Sequence, residues 1–111
     1  MADLESLMKL DGAVAAFAYS DAGELKEHRL GEGPLNEDVL DLLAHVCVAN
    51  TAIATMQARG WQKLTGMEGF YPIEGFTLIG FDWSTVTGKG LGVVLKNNSA
   101  DYETAFKALN G

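Results

Sequence analysis

The chain has 111 residues, a formal charge of −7 and 48% hydrophobic residues. That is one domain's worth of chain with enough apolar residues for its own core, and the composition is neither disordered nor fibrous. Acid in excess without a basic cluster argues against nucleic acid as a partner, because phosphate binding needs a footprint of Lys and Arg. The charge is uneven: residues 1–41 carry ten acids and three bases, and residues 42–111 carry five of each.

In chain order, Asp3 reads as an N-cap before a short helix with Leu4, Leu7 and Met8 at helical spacing. Residues 1–10 lack the basic and apolar regions of a secretory leader. No apolar run approaches the roughly 18 residues of a membrane span, so no membrane partner is expected. Ala13–Tyr19 is an apolar run of strand length. Ser20-Asp21-Ala22-Gly23 is a hairpin turn, and Glu24–Leu30 has the alternation of an exposed strand. Asn36, followed by Glu37 and Asp38, starts a long helix predicted to run from Glu37 to Arg59, with Gly60 as its C-cap. Strands are predicted near Trp61–Met67, Gly75–Asp82 and Thr85–Leu95, and a closing helix over Asp101–Leu109. The order α-β-β-α-β-β-β-α, with short turns between strands, predicts an α+β layered fold on an antiparallel sheet.

The long helix is the most informative segment. On a helical wheel Val39, Leu43, Val46 and Ile53 form one stripe, predicted to pack on the sheet. The opposite face should be charged, yet Leu42–Ala58 contains no Asp, Glu, Lys or Arg. Ala44, His45, Val48, Thr51, Ala52 and Thr55 are therefore predicted to pair the helix with its own copy in a two-fold homodimer, the alternative being that the first or last helix covers this face.

Motifs for chemistry fail on spacing. Thr87-Gly88-Lys89-Gly90 lacks the first glycine and the final Ser or Thr of a phosphate-binding loop. Gly88, Gly90 and Gly92 read instead as one flat face of a strand. His28 and His45 lack metal-ligand spacing, so neither a metal nor a cofactor is implied. Cys47 cannot form an internal disulfide, which points to a reducing, cytoplasmic compartment. It reads as a structural thiol, with a reactive thiol as the alternative. Phe70 and Tyr71, in the loop from Met67 to Glu74, are either partner contacts or residues folded back onto the core. No catalytic constellation is present.

The element order, Gly12-Ala13-Val14-Ala15-Ala16 after a short helix, the turn Ser20-Asp21-Ala22-Gly23 and the uncharged central helix resemble the roadblock/LC7 superfamily. The likeness runs from about Asp3 to Leu109. Cys47-Val48-Ala49-Asn50 is similar to a pattern in a small prokaryotic branch of it without an established activity. The resemblance implies a five-stranded antiparallel sheet, with the long helix on one face and the terminal helices on the other. It implies a non-enzymatic homodimer, with central helices paired and sheets joined edge to edge, that regulates or scaffolds a Ras-like small GTPase or another protein partner; the acidic surplus of residues 1–41 reads as a solvated face, with a docking surface for a protein with a basic surface as the alternative. The alternative is a small-molecule or redox accessory protein, connected with sulfur metabolism, in which Cys47, His45, Asn50 and the glycine-rich strand line a pocket.

Overall fold

The computed structural model describes residues 3–110. Its elements are α1 (Leu4–Met8), β1 (Ala13–Tyr19), β2 (Leu25–Leu30), α2 (Glu37–Thr65), β3 (Gly75–Ile79), β4 (Trp83–Gly88), β5 (Leu91–Lys96), a 3-10 turn at Asn97–Ser99 and α3 (Tyr102–Asn110). The five strands form one antiparallel sheet in the order β2-β1-β5-β4-β3. The helices α1 and α3 cover one face. There Leu4, Leu7, Ala105 and Leu109 pack on Ala16, Val86, Val93 and Leu95. On the other face α2 brings Leu40 and Cys47 against Val14, Ala15, Phe17 and Val94. Sequence periodicity pointed to a layered α+β fold, and the resemblance to helices on both faces of the sheet.

Local chemistry sets the helix ends. The Asp3 carboxylate accepts the Ser6 N–H (2.8 Å), and that bond holds its carboxyl below the ordinary value. The Asn36 side chain accepts the Val39 N–H (3.0 Å). The long helix does not stop at Gly60. A glycine inside a helix costs only about 1 kcal/mol, and the chain continues to Gly66, whose φ of 69° supplies the left-handed cap. The predicted strand at 61–67 is therefore the last turns of α2. Gln62 makes the extension worthwhile by accepting the Tyr71 N–H (2.9 Å).

The predicted strand Thr85–Leu95 is in fact two strands. Lys89 and Gly90 have φ of 53° and 78°, the pair of positive values that a two-residue hairpin turn needs. Gly88, Gly90 and Gly92 thus do not share one strand face. Gly92 lies in β5 opposite Phe17 and leaves room for its ring. Five strands remain in total, with different membership.

The wheel placed α2 out of phase. The stripe buried under α2 is Leu40, Ala44, Cys47 and Ala58, one residue round from the predicted Val39, Leu43 and Val46, or about 100°. Small side chains let the helix lie close on the sheet, while the larger Ile53 stays outside, 56% exposed. Ala44 is fully buried against the sheet and is not available to a second copy. By composition α2 also meets the requirement for a membrane span, with a window of mean hydropathy 1.6, contrary to expectation. Here its inner stripe is engaged by the sheet, which a spanning helix would have to give up.

Candidate interaction surface

The outer side of α2 is the unusual surface. Leu42, Val46, Ala49, Ile53, Met56 and Gly60 recur at alternating spacings of four and three, the period of a helix-pairing seam. Leu42 is 64% exposed and Met56 73%. A solvated face would carry charge at these positions. Of the residues predicted for the seam, His45 and Ala52 are exposed on its flank, while Val48, Thr51 and Thr55 are half-buried toward the sheet. The sequence signal for this exposed face is its heptad of uncharged residues.

His45 is fixed by its Nδ1–H donating to the Asp41 carbonyl (2.8 Å), and it packs beside Gly23 of the β1–β2 turn. Asp41 is the last of the N-terminal acids, so the charged surface ends where the uncharged seam begins. The other acids lie on α1, β2, the segments around them and, as Glu37 and Asp38, the first turn of α2, and Glu5 pairs with Arg29 (2.7 Å) in solvent.

Beyond Ile53 the helix is covered by the loop from Met67 to Glu74. Phe70 is half-buried edge-on against Trp61, with ring centroids 5.5 Å apart at 89°. The Arg59 guanidinium lies 4.6 Å from the Tyr71 ring centre and donates to the Tyr71 hydroxyl (2.9 Å). Both loop aromatics thus fold back onto α2. With Ala54, Ala58 and Ile73, Trp61 and Phe70 line a cavity of about 290 Å³. β3 is an edge strand of the sheet, with Ile79 64% exposed, the type of edge that invites strand pairing.

A second cavity, of about 370 Å³, opens between α2 and the β4–β5 turn. Tyr19, Val48, Thr51, Thr87 and the glycines Gly75, Gly88 and Gly90 line it. Cys47, His45 and Asn50 are not among its walls, so the predicted redox pocket is not assembled. Lys89 turns its ammonium to the Asn110 carbonyl (3.3 Å). Among the described residues, no three His, Cys, Asp or Glu side chains converge as a metal site.

Cys47 is fully buried in the core. Burial pushes its thiol up to about 11 and the Tyr19 phenol up to about 12. Both groups therefore favour the folded state while protonated. Their contribution is complete below the unfolded values of 9 and 10 and is lost as pH rises through 11 and 12. Native protein at pH 7.5 should leave a thiol reagent unreacted, and stability to urea should decline from about pH 9 upward. Rapid stoichiometric labelling of the native protein would refute the buried placement.

The fold is that of the roadblock/LC7 domains. Superposition on a Streptomyces avermitilis roadblock/LC7 domain gives a TM-score of 0.72 at 13% identity, over 96% of this chain and 85% of that one. The gliding protein MglB of Thermus thermophilus gives 0.70 at 20% identity, over 96% and 82%. MglC of Myxococcus xanthus gives 0.58 at 13%, over 96% and 87%. By sequence, residues 3–111 match the family model described as "Uncharacterized conserved protein (DUF2173)", and the chain belongs to that family. No curated protein matches it in sequence.

Proposed function

We propose that this protein is a non-enzymatic homodimeric interaction module that regulates or scaffolds a protein partner, a Ras-like small GTPase in the first instance. The observation that carries the reading is the uncharged heptad seam on α2, exposed in the single chain. Paired across a two-fold axis, Leu42, Ile53 and Met56 would be withdrawn from water at about 25 cal/mol per Å². Similarity to MglB and MglC, proteins of the same fold, supports an interaction role. The acidic surface of α1 and β2 is left free in such a dimer and suits a partner with a basic face.

Sedimentation at micromolar concentration should give twice the chain mass of 11.9 kDa. Surface interferometry against the source organism's Ras-like GTPases, loaded with GDP or a GTP analogue, should show binding that weakens as salt rises. Absence of binding to any of them would remove the GTPase assignment. Binding that is indifferent to salt would remove the acidic face from the contact.

A further inference from the structure

The cavity of about 370 Å³ at the β4–β5 turn has the size of a small-molecule site, where about 300–1,000 Å³ is usual. The sheet sets its width. Ala18, Leu91, Gly88 and Gly75 stand opposite one another in a single row from β1 through β5 and β4 to β3. That row crosses three strand spacings, about 14 Å. One residue beyond it stand Tyr19 on one side and Glu74 on the other, with the Lys89-Gly90 turn between them. The helix α2 roofs the gap with Val48, Thr51 and Ala52.

Its walls sort by chemistry. Val48, Ala52 and Ile73 make an aliphatic side. Thr87 is buried in the floor, where its hydroxyl donates to the Phe76 carbonyl (3.3 Å) and keeps its oxygen lone pairs free to accept. Thr51 adds a second hydroxyl, and Tyr19 a phenol and a ring face suited to a cation. Carboxylates stand at the two ends, Asp21 in the β1–β2 turn and Glu74 just before β3, both exposed. Among the described residues neither is ion-paired. Lys89 is the one base among the described lining residues, and its ammonium is drawn across the sheet to the Asn110 carbonyl of α3 (3.3 Å). Acids at both ends, acceptors in the floor and methyl groups along one side disfavour an anion. They suit an extended chain that is aliphatic in the middle and cationic at its ends. With a charge-assisted hydrogen bond of about 2.8 Å at each end, the two cationic nitrogens would stand roughly 8 Å apart.

We propose that this cavity binds a linear aliphatic diamine or polyamine, with one ammonium at Asp21, another at Glu74 and the methylene chain along Val48, Ala52 and Ile73. The site lies wholly within one chain, so the inference goes beyond the homodimer reading and does not depend on it.

Titration calorimetry of the full chain at about 0.15 M salt, where long-range attraction is screened, tests this with 1,6-diaminohexane, spermidine and the monoamine hexylamine. The diamine should bind once per chain with a dissociation constant below about 1 mM, which is within the efficiency of small ligands. Hexylamine should bind the wild type about fivefold more weakly, and the diamine should bind Asp21→Asn and Glu74→Gln about fivefold more weakly, the worth of one exposed ion pair. Both acids are exposed, so neither variant disturbs the core. Glu27→Gln removes an exposed acid of β2 that is not part of the cavity, and should leave the affinity unchanged. Dissociation constants above about 1 mM for both the diamine and spermidine overturn the proposal. A diamine that binds no better than hexylamine overturns it, as does indifference to Asp21→Asn and Glu74→Gln alike. Loss at only one of these two acids overturns the span between them. An equal loss from Glu27→Gln, or more than one amine bound per chain, means general attraction to the acidic surface and also overturns the site.

Discussion

Ile53→Glu is expected to turn the dimer into a folded monomer. The side chain is 56% exposed in the single chain, at the middle of the uncharged outer face of α2, so a carboxylate there costs the monomer little. In the paired helices two carboxylates would be buried without partners near the axis. An uncompensated buried charge costs about 3–5 kcal/mol, which is a hundredfold or more in dissociation constant. Light scattering should report the halved mass and circular dichroism an unchanged fold. Ala44→Glu should do the opposite. Ala44 has no exposed surface and sits between helix and sheet, so the charge should unfold the chain itself. If Ile53→Glu keeps the dimer mass, the outer face is not the seam. If Ala44→Glu gives a stable monomer, the helix sits on the sheet in another phase.

The pair Phe17 and Gly92 should give the largest losses of stability. Phe17 is fully buried, and its ring occupies the place that a Cβ at Gly92 would take. Phe17→Ala should cost about 3–5 kcal/mol through the cavity it leaves. Gly92→Ala should cost about 1–3 kcal/mol through overpacking, because the methyl falls on the ring and the sheet backbone cannot withdraw. The double variant should lose less than the sum of the two, since removing the ring frees the space that the methyl needs. Urea midpoints of the four chains measure this coupling. Strict additivity would mean that the ring does not lie over Gly92.

Much of the architecture was legible from local signals. Asp3 and Asn36 mark helix starts through their own side chains, and Ser20–Gly23 marks a turn, because caps and turns are decided within a few residues. Gly60 and Lys89-Gly90 misled for a related reason. A glycine's sequence neighbours do not say whether its freedom is used. Gly60 is carried through by the contacts of Trp61 and Gln62 with the loop beyond. The β4–β5 turn uses two positive φ angles, in a stretch whose alternating glycines read equally well as a continuous strand.

By itself the sequence determined that α2 needs cover all round, since a charge-free run from Leu42 to Ala58 leaves no side of the helix content with water. It also determined that the acidic surplus ends at Asp41, because charge is a property of composition and needs no fold. Only the tertiary structure decided which stripe faces inward. The small residues Ala44 and Cys47 take the inward stripe because close approach across a twisted surface depends on shape as well as hydrophobicity. The larger Leu42, Ile53 and Met56 are left outside. Folding likewise determined that Cys47 is enclosed, that Phe70 closes on Trp61, and that Asp21 and Glu74 face one cavity from opposite ends. Each of these depends on contacts between segments distant in sequence, which periodicity along one helix or strand cannot specify.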